Sequence, residues 1–195
     1  DVVAAVIAMI LLSPLFVFIC CVNLFTPDTS VFFSHERRGV DGEPFRIYKF
    51  QTMRHNTPNC ATNQLENPDK YITKFGRILR KTSLDELPQL WNILKGDMSF
   101  VGPRPLISSE IRAHRLRMEY GVYKFRPGLT GWAQVNGRNT ITWTEKFKLD
   151  VWYVDNISII LDIKIIFLTV KNVISRKDIN SSSDKVGSVG FNGHN

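Results

Sequence analysis

The N-terminal segment of the chain is apolar throughout. Val2 to Leu24 contains no charged residue and consists mostly of Val, Ile, Leu, Ala and Phe. An apolar run of more than about 18 residues is a candidate membrane helix. Ser13 and Pro14 interrupt the run near its middle, and a proline removes one helical hydrogen bond and clashes with the preceding turn. Two interpretations stay open: a kinked helix that spans the membrane, or a re-entrant hairpin that enters one leaflet and turns back at this break.

The pattern after this segment predicts a small β-hairpin. Residues 31–33 and 45–50 have the aromatic and β-branched content of short strands, and residues 39–42 supply two glycines for a turn between them. Lys49 lies in the second of these strands, where a lysine is either a solvated surface residue or part of a site. Residues 55–69 are polar and predict a surface loop.

Apolar residues at helical spacing return in the middle of the chain. Residues 71–81 predict a helix. Its inward face is formed by Ile72, Phe75, Ile78 and Leu79. A second helical pattern begins at Leu84, and Ser83 stands three residues before Glu86, which is the spacing of a capping box. We therefore expect Asp85 and Glu86 in the first turn of a short helix, where the positive end of the helix dipole keeps a carboxylate ionised.

A basic helix and a turn-rich segment follow. Residues 107–120 predict a helix whose charged face is either solvated or set against lipid headgroups. Arg126-Pro127-Gly128 and Asn136-Gly137-Arg138 are predicted turns, and residues 132–135 are predicted as a short strand between them. Each turn joins an arginine to a glycine, and such loops approach phosphate groups closely. Glycines required by the turns alone are the alternative explanation.

The last two predicted helices complete the fold class. Residues 144–153 predict an aromatic helix, and residues 157–174 are apolar but interrupted by Asp162, Lys164 and Lys171. The second segment is therefore too broken to span a membrane. It fits an amphipathic helix at a membrane interface or a buried core helix. Together with the short strands, these segments predict a mixed α/β (α+β) fold with interfacial amphipathic helices.

Charge and composition narrow the class of partner. A chain of 195 residues forms one domain with a real core, and its net charge of +7 favours partners that bear phosphate. Nucleic acid is the weaker choice, because the chain has no helix-turn-helix, zinc-finger or RNP pattern. The three cysteines imply no disulfide framework and the four histidines have no metal-ligand spacing. Any metal is therefore expected to be a hard cation on carboxylates and phosphate.

The adjacent acids Asp85 and Glu86 are the strongest candidate for chemistry. Asp and Glu in a first helical turn are often only capping residues. However, Gly102-Pro103-Arg104-Pro105 is a stiff loop that carries a single arginine, and Arg80 adds a basic group before the acids. A carboxylate beside a rigidly held guanidinium suits a phosphate substrate, because the arginine clamps it while the carboxylate attacks it or holds its metal.

Three runs carry a family resemblance. They are Y-K-F-Q-T-M at residues 48–53, S-L-D-E-L-P-Q-L-W-N-I-L-K-G-D-M-S-F-V-G-P-R-P at residues 83–105, and R-P-G-L-T-G-W-A-Q-V-N-G-R at residues 126–138. In this order they resemble the bacterial sugar transferase family, the monotopic phosphoglycosyl transferases. Runs of this length are far more specific than a lone short motif. The small N-terminal segment makes the chain similar to the minimal members.

The resemblance implies a reaction and a set of roles. The enzyme would move a phosphosugar from a UDP-sugar to a polyprenyl (undecaprenyl) phosphate, release UMP and use Mg²⁺. Asp85 would attack the sugar-bearing phosphorus and form a covalent intermediate, and Glu86 would orient Asp85 or help it hold the metal. The expected substrate-binding residues are Lys49, Arg80, Arg104, Arg126, Arg138 and Asp162.

The resemblance also favours the re-entrant break at Ser13 and Pro14. It implies a re-entrant membrane helix hairpin at residues 1–25, a catalytic domain at residues 26–178 on the cytoplasmic face of the bacterial inner membrane, and a mobile tail at residues 179–195. The rival enzyme is a single-displacement glycosyltransferase whose acids only hold metal, and the non-enzyme rival is a basic peripheral membrane adaptor. No pattern in the sequence specifies the sugar, the glycan pathway or an oligomeric state.

Overall fold

The computed structural model describes residues 1–58, 65, 67–107, 111–137 and 141–175. The helices are α1 (Val2–Leu24), α2 (Lys74–Thr82), α3 (Gln89–Lys95), α4 (Ile111–Glu119), α5 (Trp132–Val135), α6 (Trp143–Asp155) and α7 (Ile159–Ile174). The strands are β1 (Phe32–Arg38), β2 (Pro44–Phe50), β3 (Ser99–Val101) and β4 (Gly128–Thr130). This mixture of helices and short strands confirms the predicted α/β class.

The chain divides into two compact units. The first comprises Asp1–His35 and Ile47–Leu94, and the second comprises Glu36–Arg46 and Lys95–Asn195. The domains predicted from the sequence separate a membrane segment from a catalytic domain, whereas the two units are defined by packing. The predicted domain boundaries therefore stay a prediction. Residues 179–195, the predicted tail, lie outside the described residues.

Helix α1 is continuous through Ser13 and Pro14. Pro14 has no N–H to donate to the carbonyl of Ile10, and the hydroxyl of Ser13 donates to that carbonyl instead, at 2.8 Å. The structure therefore shows one helix where the sequence predicted a break between two, and the Ser13 hydroxyl satisfies the carbonyl that Pro14 leaves free. A re-entrant path through the membrane stays a prediction. Within the described residues, α1 is the helix long and apolar enough to cross a membrane.

The core of the first unit forms between α1, β2 and α2. Ile19, Phe50 and Leu79 are each about 99% buried and pack together. The buried Asn23 amide donates to the carbonyls of Val31 at 3.2 Å and Gln51 at 3.1 Å, and so fastens the C-terminal end of α1 to this unit.

The predicted hairpin is present and leads to the next helix. Strands β1 and β2 pair in a two-stranded sheet around the 3₁₀ turn Val40–Gly42. Helix α2 follows, with the side chain of Thr73 as its N-cap. Gly76 is required there, because a Cβ would lie 2.3 Å from the carbonyl oxygen of Thr52. The inward face was predicted correctly at Leu79 but wrongly at Ile78, which is exposed.

Strands β3 and β4 pair in parallel in the second unit. Ser99 is opposite Gly128 and Val101 is opposite Thr130. The strand predicted at residues 132–135 is wrong, because these residues form helix α5 and the strand lies just before them. Gly131 is extended and its carbonyl accepts the first helical bond from Val135, so the chain leaves the strand and turns directly into a helix.

Helices α6 and α7 complete the second unit. Thr142 and Glu145 form a capping box at the start of α6. Leu161 and Ile165 of α7 pack against Val101 and Tyr153. The opposite face of α7 leaves its large apolar side chains exposed. The predicted amphipathic pattern of this segment is therefore present in the folded helix.

Candidate active site

Asp85 and Glu86 lie on the 3₁₀ turn Leu84–Glu86, which we call the acid turn. Helix α3 begins only at Gln89. Ser83 has a left-handed backbone (φ 57°) because it ends α2, and its N–H donates to the carbonyl of Arg80. Its side chain makes no capping bond. The predicted capping box is therefore wrong: Ser83 is committed to the end of one helix and does not cap the next.

Lys49 contacts the acid turn directly. Its Nζ lies 2.6 Å from Glu86 Oε1, and the two side chains are 19% and 16% exposed. The fully buried Asn92 of α3 accepts a hydrogen bond from the N–H of Tyr48 at 3.1 Å. This bond fixes β2 against α3 one residue away from Lys49. Lys49 and Glu86 thus form a largely buried ion pair. The strand that carries Lys49 is fastened to α3 by the bond to Asn92.

Arg80 stands beside the same turn at the end of α2. Its Nε donates to Thr52 Oγ1 at 2.8 Å, and Thr52 is itself buried. Burial lowers the pKa of the Arg80 guanidinium, while the charges of Asp85 and Asp69 act in the opposite direction. The cation therefore interacts with the acid that we expect to be the nucleophile.

Two arginine-bearing loops lie side by side in the second unit. We call Gly102–Pro105 and Arg126–Gly128 the arginine loops. The N–H of Gly102 donates to Thr130 O at 2.9 Å, and the N–H of Gly128 donates to Pro103 O at 3.0 Å. A Cβ on Gly128 would lie 2.1 Å from the nitrogen of Gly102. The glycines therefore allow the two loops to come into contact. This close contact explains the glycines on structural grounds.

The arginines themselves are exposed at these loops. Arg104 is exposed between the buried Pro103 and Pro105, and its carbonyl accepts a hydrogen bond from Arg117 Nη1 at 2.6 Å. Arg126 is also exposed. The structure thus joins Arg104 and Arg126 in one unit, and Lys49, Arg80 and the acid turn in the other. Arg138 lies outside the described residues.

Asp162 has a partner in the core of the second unit. Its Oδ1 accepts a hydrogen bond from the hydroxyl of Tyr153 at 2.8 Å. Burial, together with this bond and the charge of Asp162, raises the pKa of Tyr153. The bond accounts for Asp162 as a structural residue at the start of α7, and its role toward a substrate stays a prediction.

The carboxylates of the acid turn are the candidate donors for Mg²⁺. The part of the chain that the structure describes contains no group of three or more His, Cys, Asp or Glu side chains that would hold a metal by themselves. Mg²⁺ is commonly bound by one or two carboxylates together with substrate phosphates and water. The pair Asp85 and Glu86 fits a metal that is shared with a diphosphate substrate.

Several residues around the site were not predicted from the sequence. Thr52, Asn92 and Asp150 are buried polar residues with specific partners, and Arg117 was predicted only as part of a charged helix face. Both polar atoms of the Gln134 side chain are buried without a partner among the described residues. A periodic pattern assigns a residue to a face of a helix or strand but does not identify its hydrogen-bonding partner. These roles could therefore not be predicted from the sequence.

Comparison with known proteins gives matches over almost the whole chain. A family model described as bacterial sugar transferase matches residues 1–176. The chain is 43% identical over 183 residues to the uncharacterized sugar transferase EpsL of Bacillus subtilis, covering 94% of this chain and 89% of the relative. It is 39% identical over 189 residues to the exopolysaccharide production protein ExoY of Rhizobium meliloti, covering 89% and 83%.

A longer relative is named for a specific reaction. The chain is 39% identical over 180 residues to the UDP-glucose:undecaprenyl-phosphate glucose-1-phosphate transferase of Escherichia coli, a match that covers 87% of this chain but 38% of that protein. The similarity thus extends through the acid turn and both arginine loops.

Proposed function

This chain belongs to the bacterial sugar transferase family, and we propose that it transfers a phosphosugar from a UDP-sugar to a polyprenyl phosphate and releases UMP. The name of the Escherichia coli relative describes this reaction for glucose. The observation that carries the proposal is the acid turn, where Lys49 and Arg80 flank Asp85 and Glu86.

Asp85 is the proposed nucleophile. One of its carboxylate oxygens attacks the sugar-bearing phosphorus of the UDP-sugar, and a bond forms between them. The bond from this phosphorus to the bridging oxygen breaks, and the electron pair leaves with UMP. A phosphate oxygen of the polyprenyl phosphate then attacks the same phosphorus. The aspartyl bond breaks and the Asp85 carboxylate is regenerated.

Glu86 is the proposed orienting acid. Its Oε1 is held by Lys49 at 2.6 Å, and Lys49 is fixed in turn by a strand that Asn92 anchors. A carboxylate held in this way keeps a fixed position. The arrangement supports a role for Glu86 in placing the acid turn, with Asp85 as the group that reacts.

The cations and the metal share the charge of the diphosphate. Arg104 and Arg126, with Arg138 from the matching motif, are the proposed phosphate clamps, because a planar guanidinium binds phosphate oxygens in pairs. Mg²⁺ bound at the acid turn, chiefly by Asp85, would neutralise the diphosphate and stabilise the leaving UMP. Lys49 and Arg80 partly neutralise the negative charge of Asp85 and Glu86 before substrate binds.

The proposed location is the cytoplasmic leaflet of the bacterial inner membrane, entered from one side only. Leu15 is the first residue of α1 in the core cluster of the first unit, and Ala5 is the buried residue before it. Residues 2–12 extend about 16 Å as a helix, which is about half of a hydrocarbon core of roughly 30 Å. This length supports insertion into one leaflet. The name of the relative ExoY supports a place in surface-glycan synthesis.

Asp85→Asn tests the covalent mechanism. Asparagine is nearly the same shape and keeps the same hydrogen-bonding carbonyl, so folding should survive the change. It is not an anionic nucleophile, so we expect UMP release from a panel of UDP-sugars to fall by several orders of magnitude, on the order of the losses seen when other enzyme nucleophiles are removed.

The intermediate itself is detectable without an acceptor. After incubation with UDP-sugar and Mg²⁺, intact-mass spectrometry should show a phosphosugar on the wild type and none on the Asp85→Asn variant. Mass spectrometry of the digested protein should place it on the peptide that contains Asp85. Absence of an adduct, with kinetics that require both substrates bound together, would favour single displacement. Release of UDP instead of UMP would indicate a glycosyltransferase, and full function in Asp85→Asn would leave a membrane adaptor.

A further inference from the structure

Arg117 is almost completely buried, although it lies on the basic helix α4. Its neighbours Arg112 and Arg115 on the same helix are exposed, whereas the Arg117 side chain is 5% exposed. Its Nη2 lies 2.5 Å from Oδ2 of Asp150 on α6, which is 4% exposed. Arg117 and Asp150 therefore form a buried ion pair, which we call the buried pair.

The guanidinium of the buried pair makes a second contact. Nη1 of Arg117 donates to the carbonyl oxygen of Arg104 at 2.6 Å. One residue earlier, the carbonyl of Pro103 accepts a hydrogen bond from the N–H of Gly128 at 3.0 Å. Two successive carbonyls of the loop are thus held, one by the main chain of β4 and the other by the side chain of Arg117.

Stability alone is a poor explanation for the buried pair. Removing two charges from water is costly, and replacing a buried ion pair by apolar residues is often neutral or stabilising. A guanidinium, by contrast, has a rigid fork of donors that fixes the relative position of the groups it joins. Here the joined groups are a buried carboxylate and the main chain of an exposed arginine.

The space around Arg117 is too small for a ligand. A cavity lined by Arg117, Arg38 and Tyr123 has a volume of about 10 Å³, which is room for a single water molecule. Neither a nucleotide nor a lipid phosphate fits there. The buried pair therefore acts on the protein itself, and the exposed group that it controls is Arg104.

We propose that Arg117 and Asp150 are positioning residues for the transfer reaction, which fix the main chain of Arg104 and thereby aim its guanidinium at the substrate phosphates. The inference rests on the proposed function, in which Arg104 clamps phosphate. Pro103 and Pro105 flank Arg104 and are buried, and a proline has no N–H to donate, so the bond from Arg117 is one of the contacts that hold this part of the loop. Loss of the bond from Arg117 leaves the side chain of Arg104 intact, but its guanidinium is no longer positioned toward the substrate phosphates.

The test is a double-mutant cycle that removes the buried pair as a whole. Arg117→Met/Asp150→Leu leaves no unpaired buried charge, so the protein should melt close to the wild-type temperature. We expect kcat/KM for UDP-glucose or UDP-galactose, measured as UMP release with undecaprenyl phosphate, to fall about tenfold, since small displacements of a binding group have effects of this size or larger. Adding the same pair of changes to Arg104→Ala should cause no further loss.

A surface pair provides the matched control. Arg54 and Asp28 form an ion pair at 3.3 Å whose side chains are 45% and 67% exposed, and Arg54→Met/Asp28→Asn should leave kcat/KM unchanged. Equal losses from the buried-pair variant with and without Arg104→Ala would show a general structural role and overturn the proposal. Wild-type kcat/KM in the buried-pair variant, or in Arg104→Ala, would overturn it as well.

A binding measurement separates this inference from the proposed function. If the wild type releases no UMP from either donor, the proposed reaction fails. The affinity of the same four proteins for UDP, measured by calorimetry, then decides the role of the buried pair. A loss of UDP affinity that depends on Arg104 would support positioning, and an unchanged affinity would reject it.

Discussion

Lys49 distinguishes the two adjacent acids at the level of single residues. Glu86 has a lysine at 2.6 Å, whereas Asp85 interacts with the charge of Arg80. Binding of a carboxylate oxygen by a lysine weakens that carboxylate as a metal ligand, because the lysine competes for its lone pairs. The two acids should therefore differ in their dependence on Mg²⁺ as well as in their effect on turnover.

Glu86→Gln tests this difference. The amide oxygen still accepts a hydrogen bond from Lys49, so the acid turn should keep its shape. We expect turnover to fall on the order of ten- to a hundredfold, as for other groups that orient a reactive residue, with no change in the Mg²⁺ concentration that gives half of the maximal rate. A Mg²⁺ titration of UMP release measures both. A large rise in the half-saturating concentration would instead identify Glu86 as a metal ligand.

His114 is a half-buried titratable group near the buried pair. Its Nε2 lies 2.8 Å from Ile107 O, and Nδ1 contacts the hydroxyl of Tyr123. Burial lowers the pKa of His114 below its reference value of 6.5, the charges of Arg117 and Arg38 lower it further, and the bond to Ile107 opposes them. The folded protein therefore holds this imidazole neutral at a pH where the unfolded chain protonates it.

Stability should consequently fall on mild acidification. For a lowered pKa, the contribution of His114 is complete above the unfolded value of 6.5 and is lost as the pH falls through the folded value. We expect the urea midpoint of the detergent-solubilised protein to decrease from about pH 7.5 to about pH 5.5. His114→Gln does not titrate and should show a smaller decrease. Equal decreases in both proteins would assign the effect to other groups.

At the level of elements, the sequence predicted what apolar periodicity controls. The apolar period of residues 157–174 predicts α7, and residues 144–153 predict most of α6, but the Thr142 capping box that begins α6 was not predicted. The prediction failed at residues 132–135, because four residues are too short to show a period and the extended Gly131 sets the turn into α5. It failed again at Ser83, since a serine after one helix and before another fits either end equally well.

The sequence was enough to propose the residues of the candidate site but not the groups that support them. Asp85, Glu86 and Lys49 were recognised as chemical groups, and the structure joins Lys49 to Glu86. The bonds from Asn92 to β2 and from Arg117 to the Arg104 loop connect residues far apart in the chain. Such contacts depend on tertiary packing, and a hydrophobic pattern along one sequence contains no information about which distant polar groups will meet.

The exposed face of α7 predicts contact with lipid. Ile159, Ile163, Phe167 and Ile174 are each more than 60% exposed, while Leu161 and Ile165 on the other face are buried. A continuous exposed apolar stripe of this kind marks a membrane or protein contact. A photoreactive phenylalanine analogue at Phe167 should crosslink to phospholipid in vesicles, and the same analogue at the exposed Lys148 of α6 should not. Crosslinks to lipid at neither position would leave α7 outside the membrane interface.

At the level of the whole molecule, helix α1 determines how the enzyme meets the membrane. Its C-terminal half is part of the first unit, because Leu15, Phe16 and Ile19 pack in the core and Asn23 binds two main-chain carbonyls. The large apolar residues before Pro14, such as Ile7, Ile10 and Leu11, are more than half exposed. Residues 2–12 of α1 extend about 16 Å as a helix, which is about half of a full hydrocarbon core of about 30 Å.

A re-entrant path, which would bring both ends of α1 to the same side of the membrane, requires the helix to bend at Ser13 and Pro14 when it inserts, because α1 is continuous there in the structure. The three native cysteines are replaced by serine, and single cysteines are placed at Val2 and at Thr29. A membrane-impermeant maleimide added to sealed inverted vesicles, whose outer face is cytoplasmic, should label both positions, and the same reagent on intact spheroplasts should label neither. If Val2→Cys reacts only from the periplasmic side, α1 spans the bilayer. Insertion would then break the packing of the C-terminal half of α1 against the core of the first unit and the two hydrogen bonds donated by Asn23.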